Sequence, residues 1–190
     1  MHLRIIGGRL RGKKLYSLPG NLTRPTADRV REAVFNILAS EVNDVQVLDL
    51  FAGTGILGLE ALSRGAGYAV FVDNHPQPIS VIKRNILSCR FDNVTRVVRH
   101  DLRQDIRIPF TSGKCFQLVF MDPPYNTGLI HPTLARLHAS RMLDKEAIVM
   151  VEHSLLEPIE NGETPFVLKD QRKYGKTLVS FLNYMVKDSL

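Results

Sequence analysis

Asp122 closes the apolar run QLVFM and is followed at once by Pro123, Pro124 and Tyr125. An acid on a turn of two prolines, with a phenol just beyond, makes a rigid acceptor beside an aromatic plate, because proline fixes φ and removes a donor. A second group lies earlier, in DLFAGTGILG (49–58), where Gly53, Gly55 and Gly58 spell GxGxxG and Asp73 follows Gly53 by twenty residues. That spacing is the dinucleotide fingerprint, in which a glycine-rich turn cradles a pyrophosphate and a later acid holds a ribose. Asp49 speaks against the pyrophosphate: a carboxylate beside the loop repels phosphate and welcomes an ammonium or sulfonium. Nor does the chain offer a second domain to bring a hydride acceptor to a nicotinamide ring. A nucleoside with a cationic amino-acid tail suits both acids, and S-adenosylmethionine is such a molecule.

These residues need a scaffold that carries them to one edge. Short apolar runs, VQVLDL (45–50), YAVFVD (68–73), VTRVV (94–98), QLVFMD (117–122) and AIVMVE (147–152), alternate with helical patterns near 56–64, 78–88 and 131–142. Continuous Val/Ile/Leu/Phe runs separated by helices predict an α/β fold with a doubly wound, mostly parallel sheet covered on both faces. The tail FVLKDQRKYGKTLVSFLNYMV predicts two further strands about a turn near Gly175, an antiparallel addition that brings the sheet to seven. Ligands of such sheets sit at the carboxyl ends of the strands, and Asp49, Asp73, Asp101 and Asp122 all fall there. Residues 3–6 and 13–18 predict a small hairpin around glycines. Thr26 is expected to cap a helix whose apolar residues Val30, Ala33, Val34, Ile37 and Leu38 keep helical spacing. The economical division is a basic extension over 1–22 and one α/β domain over 23–190.

Composition sets the outer bounds. The chain has 190 residues, 44% of them hydrophobic and 23% charged, which suits one soluble globular core. No apolar stretch approaches the ~20 residues of a membrane span, and MHLRIIGGRLRGKK has no apolar core of a secretory signal. A cytoplasmic protein with Cys89 and Cys115 as free thiols is the expectation. The six histidines show neither HExxH spacing nor pairing with cysteine, so no metal is expected. The net charge of +6 is uneven: residues 1–31 carry eight Lys/Arg and only Asp28 against them, which leaves −1 on the rest. A basic arm on a near-neutral body is either the footprint of a polyanion binder or a solvated face.

FAGTG with Asp49, an acid ending the second strand, and DPPY after the fourth resemble the class I methyltransferases that modify exocyclic amines. TRPTADRVREAVFNIL (23–38), LDLFAGTGILGLEALSRGA (48–66) and RKYGKT (172–177) resemble the bacterial 16S rRNA guanine-N2 methyltransferase family, which acts on guanine 966 of the small-subunit RNA. The resemblance runs from IIGG near the start to the final strand pair. It implies a Rossmann-like class I fold, S-adenosylmethionine as cofactor, 16S rRNA or the small ribosomal subunit as partner, and a monomer.

Position by position, the resemblance implies that Asp49 and the backbone of Phe51, Ala52, Gly53, Thr54 and Gly55 hold the methionine part. Asp73 takes the ribose, Asn74 belongs to the cofactor site, and Asp101 with Leu102 meets the adenine edge. Asp122 and the Pro123 carbonyl accept the two N–H groups of a guanine amine, Pro124 stiffens the turn, and Tyr125 stacks on the flipped base. Arg4, Arg9, Arg11, Lys13 and Lys14 would meet RNA. Arg24 and Thr26, with Pro25, either line the RNA entrance or only lead into the helix. Asp73 stands where a longer Glu is common and His100 where a small residue is common, which implies a reshaped adenosine pocket. A DNA adenine-N6 methyltransferase would share the DPPY chemistry but usually carries a sizeable target-recognition segment. A non-catalytic RNA-binding chain would keep the arm and lose the four acids.

Overall fold

The five apolar runs form β1 (Gln46–Leu50), β2 (Tyr68–Asp73), β3 (Thr95–Arg99), β4 (Phe116–Met121) and β5 (Leu143–Ser154), and the tail forms β6 (Phe166–Tyr174) and β7 (Thr177–Tyr184). The computed structural model describes residues 3–18, 25–104, 106, 115–159 and 165–185, with only the backbone of 25–27. One seven-stranded sheet has the order β3-β2-β1-β4-β5-β7-β6. Strands β1 to β5 pair in parallel, and β7 alone runs the other way, between β5 and β6. The α-helices among the described residues are α1 (Pro25–Leu38), α2 (Ile56–Ser63), α3 (Pro76–Cys89) and α4 (Ile130–Ala139).

Successive strand residues point to opposite faces, so each continuous apolar run feeds two cores. Val47, Ala69, Phe71, Leu118 and Phe120 pack with residues of α1, α2 and α3, whereas Leu48, Leu50, Val70, Val72, Val119 and Met121 pack with α4. Burying each such side chain contributes about 1.5–3 kcal/mol, which is why these strands dispense with polar alternation. Asp49 follows the phase of Val47 and is therefore driven into the first core, under α2, where it is 2% exposed.

The chain leaves β1 toward β2 and β3 on one side and returns through β4 and β5 on the other. The order reverses between β1 and β4, the place where open α/β sheets take their ligands. Leu50 and Met121 are register partners across that junction. The residues that follow them, Phe51 and Asp122, therefore emerge side by side.

One local expectation changes and another is refined. Helix α1 begins at Pro25, so Thr26 lies in its first turn rather than at its cap; proline suits the first helical position because its φ is preset and its missing N–H is not needed there. The expected hairpin forms as a short ribbon around a 3-10 turn at Gly8–Leu10: Arg4 and Lys14 make one antiparallel bridge, Ile5 N–H donates to the Lys13 carbonyl at 3.0 Å and Leu15 N–H to the Leu3 carbonyl at 2.8 Å. The ribbon is also held by the body of the protein. Ile6 N–H donates to Glu60 Oε2 at 2.8 Å, Leu10 N–H to Ser63 Oγ at 2.9 Å, and Leu3, Ile5 and Leu15 join the first core. Gly8 has φ +69°, and a Cβ there would lie 1.9 Å from the Ser63 carbonyl oxygen. Its glycine is thus required by the end of α2.

Candidate functional site

The loop after β1 is built from left-handed backbone: Phe51, Gly53 and Gly55 have φ of +59°, +56° and +77°. Phe51 carries the strain usual for a side chain in that region, and the loop is fastened at three points. Ala52 N–H donates to the Val72 carbonyl at 3.0 Å, and Gly53 N–H to Asp73 Oδ2 at 2.9 Å. The third tie comes from α3, where the buried Asn85 donates to the Thr54 carbonyl at 3.0 Å. Asn85 also exchanges two bonds with the backbone of Tyr16, so one amide joins the N-terminal segment to the glycine loop.

Beneath the loop, Asp49 Oδ2 accepts the Gly58 N–H at 3.0 Å. A Cβ on Gly58 would fall 2.4 Å from the Phe71 ring and 3.2 Å from that carboxylate oxygen, so the third glycine of the motif gives α2 its seat on the sheet. Burial, and to a lesser degree the nearby Asp73, push the Asp49 carboxyl up from 3.8 to about 8, against the Gly58 bond that favours its charge. A buried acid so reluctant to ionise is a site whose charge is stabilised by an incoming cation.

At the carboxyl edge a cleft of about 920 Å³ collects Phe51, Gly53, Asp73, Asn74, Asp101 and Leu102 on one side and Asp122, Pro123, Pro124 and Tyr125 on the other. A second cavity of about 650 Å³ shares Phe51, Gly53, Asp122 and Glu152 with the first and runs on past Asp49, Ala52 and Thr54. Gly55 lines neither; it is packed against Phe71 and Ile82. The ten residues proposed from sequence for a cofactor are therefore gathered around two joined cavities, with Gly55 just behind them.

Several of their polar atoms already have partners. Asp73 accepts from Gly53 N–H and, at 3.0 Å, from His75 N–H. Each carboxylate oxygen has two acceptor sites, so both keep capacity toward the cleft. Asp101 holds Arg103 through a forked pair at 3.0 and 2.7 Å, and these bonds lower its carboxyl to about 2. It therefore meets the cleft as one half of an ion pair with Arg103, while Leu102 beside it is buried.

The DPPY turn is held as firmly as its prolines suggest. Thr127 Oγ donates to the Pro124 carbonyl at 2.6 Å, and the Glu157 carboxylate accepts from Asn126 N–H and Gly128 N–H at 2.5 and 2.7 Å. Tyr125 is 43% exposed, yet its hydroxyl donates to Glu152 Oε1 at 2.7 Å and lies 3.1 Å from Thr177 Oγ. Burial and the neighbouring carboxylates raise the phenol pKa. Asp122 opens onto the cleft, but enough protein surrounds it that burial first, then Glu152 and Asp49, hold its carboxyl well above the ordinary 3.8.

Glu152 was missed in sequence although its signal was there: AIVMVE ends in an acid like the runs before it. Asn85 and Glu157 had no such signal, since their partners are set by tertiary contact.

The basic residues are spread differently. Arg4 pairs with Asp28 at 3.5 Å, and Arg9 lies over the Phe91 ring at 4.8 Å. Arg11, Lys13 and Lys14 are exposed. Arg24 and the Thr26 side chain lie outside the described residues. Arg31 is buried and held by Asp28 at 3.0 Å and Glu60 at 3.8 Å, which removes its charge from the surface. The 3-10 turn of the arm rests on the far end of α2, which is eight residues long, so it lies about 12 Å from the loop edge at 1.5 Å per residue.

Comparison with known proteins agrees with this architecture. The ribosomal RNA small subunit methyltransferase D of Escherichia coli (strain K12) is 39% identical over 84% of this chain and 77% of its own length. The protein of that name from Buchnera aphidicola subsp. Acyrthosiphon pisum is 30% identical over 93% of this chain and 87% of its own. The solved structure of yhhF from Escherichia coli superposes with a TM-score of 0.84 and 33% identity, covering 98% of this chain and 100% of that one. Residues 3–183 match the profile described as conserved hypothetical protein 95, and the chain belongs to that family.

Proposed function

We propose that this protein transfers a methyl group from S-adenosylmethionine to the exocyclic N2 amine of a guanine in 16S ribosomal RNA, of the guanine 966 type. The observation that carries the reading is the meeting of the glycine loop after β1 with Asp122-Pro-Pro-Tyr125 after β4 at the point where the strand order reverses. The names of the relatives in Escherichia coli and Buchnera support ribosomal RNA as the substrate class.

The residues fit the cofactor. Buried Asp49 gains a counter-charge from the cationic methionine part, the left-handed loop lets backbone approach it closely, and Asp73 retains acceptor capacity for a ribose. Leu102 offers an apolar surface to adenine, with Asp101 and Arg103 at its edge. Bound there, S-adenosylmethionine supplies an electrophilic methyl on sulfur and leaves as a neutral thioether.

The guanine N2 amine is a poor nucleophile because its lone pair is delocalised into the ring. Asp122 and the Pro123 carbonyl, accepting its two N–H groups, favour the pyramidal geometry with a localised lone pair. Tyr125, its hydroxyl anchored by Glu152 and Thr177, offers a ring of fixed orientation on which the flipped base stacks. Orientation of this kind supplies much of the acceleration. The nitrogen that gains the methyl sheds one proton, and the Asp122 carboxylate accepts it.

A radiolabelled methyl-transfer assay offering 16S RNA, assembled small subunits and DNA tests the reading. Label should enter one of the two ribosomal substrates and disappear when the target guanine is replaced. Label in DNA alone, or in none of the three, overturns it.

Asp73→Ala should weaken S-adenosylhomocysteine binding roughly tenfold or more, since a charge-assisted bond contributes about 1.5–3 kcal/mol. The Gly53 staple is lost with it, so melting temperature should fall as well. Activity at saturating cofactor should largely recover. Wild-type affinity by calorimetry would remove Asp73 from the cofactor site.

The arm is assigned to RNA affinity. Replacing Arg11, Lys13 and Lys14 with Gln should leave cofactor binding unchanged and flatten the dependence of log K on log salt by about 0.7–0.9 per lost phosphate contact. An unchanged slope would mean that RNA does not reach this side of the protein.

A further inference from the structure

Two carboxylates stand at the carboxyl edge of neighbouring parallel strands, at the heart of the site. Met121 of β4 and Val151 of β5 are register partners, so the next residue on each, Asp122 and Glu152, stand side by side. Both line the cleft and the cavity joined to it. Among the described residues, neither has a cation within ion-pair distance. Glu152 has one firm bond, with its Oε1 accepting the Tyr125 hydroxyl at 2.7 Å. A charge left uncompensated beside another charge is costly in a partly buried site, and this one touches both the acid and the aromatic ring of the DPPY turn.

We infer that Glu152 is a positioning residue for the methyl transfer: its charge makes Asp122 the stronger proton acceptor for the amine, and its bond to Tyr125 fixes the stacking ring. The inference rests on the proposed reaction for its purpose but on the ligand-free protein for its geometry. The proton balance is that given above: one N–H proton of the amine goes to Asp122, and the Glu152 charge favours it there because protonating Asp122 relieves the repulsion between the two carboxylates.

The groups that face Asp122 bear on the sign. Asp49 on β1 and Glu152 on β5 both raise its affinity for a proton, with burial the larger cause. Tyr125 is a neutral donor to Glu152. Arg31 and Lys176 line the joined cavity, Arg31 being held by Asp28 and Glu60, and Arg103 is engaged by Asp101. Removing the Glu152 charge should therefore let Asp122 ionise at lower pH.

Glu152→Gln is the discriminating variant, because an amide oxygen still accepts from the Tyr125 hydroxyl while the charge is gone. Carbon-detected NMR of the Asp122 carboxyl, in ligand-free protein, should show its titration midpoint fall by about one unit or more, the effect of a neighbouring charge at close range. The acid limb of turnover against pH should move down by the same amount. Glu152→Ala, which loses the bond as well, should further raise the KM for RNA, and Glu152→Gln should restore it. An Asp122 midpoint that does not move in Glu152→Gln overturns the inference. Failure of the wild type to methylate RNA, with the midpoint shifted, would instead overturn the proposed reaction and leave the pairing of the two acids standing.

Discussion

Asp122→Ala is expected to lower turnover about 100- to 1,000-fold, the loss typical of one preorganised partner of the transition state, while S-adenosylmethionine binding stays nearly intact. The asymmetry follows from what the side chain does. Asp122 opens onto the cleft rather than tying the loop, whose fastenings are Val72, Asp73 and Asn85. Its removal also relieves repulsion from Glu152 and Asp49, the neighbours that raise its pKa, so the ligand-free fold should be no less stable. Asp122→Asn separates two roles. An amide keeps an acceptor oxygen for the amine N–H but cannot hold the released proton. Much higher turnover in Asn than in Ala assigns the effect to orientation of the amine; similar losses in both assign it to proton acceptance. Single-turnover rates on the correct RNA at saturating cofactor make the comparison, and full activity in Asp122→Ala would place the chemistry elsewhere on the same edge.

The parallel core was legible because both faces of each strand are buried, which turns a strand into an uninterrupted apolar word. β2 has the bounds that YAVFVD suggests. β5 begins four residues earlier than AIVMVE does, at Leu143, because Lys145 and Glu146 within it are exposed and break the apolar pattern; Glu146 has φ +63°. α4 ends at Ala139 rather than 142, with Arg141 in the left-handed region. Acids at strand ends were equally visible, since position along a parallel strand fixes which edge a side chain reaches. What joins those acids to the rest was not. The Tyr125 hydroxyl finds Thr177 52 residues away, and Asn85 reaches Tyr16 across 69. The glycines of the arm marked a turn, yet nothing in them announced that Gly8 is pressed against the end of α2. Spacing within one element reports periodicity; it carries no information about which distant element will lie opposite.

Asp49→Asn should weaken cofactor binding and stabilise the ligand-free protein, and the two effects have one cause. The Asp49 carboxyl is raised from 3.8 to about 8, burial being the main reason. Between those values the folded state binds more protons than the unfolded one, so this group's contribution to stability declines as pH rises through that window and levels off above it. Asn cannot ionise, and its oxygen can still accept the Gly58 N–H. The variant should therefore melt at a higher temperature than wild type at pH 8, with the gap closing toward pH 4. Asp122, itself raised in part by the Asp49 charge, should ionise at lower pH in the variant, which adds to the gap in the same direction. A cationic ligand reverses the balance by favouring the carboxylate. Loss of that charge should weaken S-adenosylhomocysteine, which keeps the ammonium, by roughly 10- to 100-fold, the equivalent of about 1.5–3 kcal/mol for a charge-assisted bond. Calorimetry in buffers of different ionisation enthalpy supplies a separate count. Near pH 7, wild type should release most of a proton from Asp49 on binding, and Asp49→Asn should release correspondingly less. Equal proton release in the two proteins, or no gain in melting temperature at pH 8, would mean that Asp49 is already ionised before the ligand arrives. Its role would then be to seat α2 through Gly58 rather than to answer the charge of the cofactor.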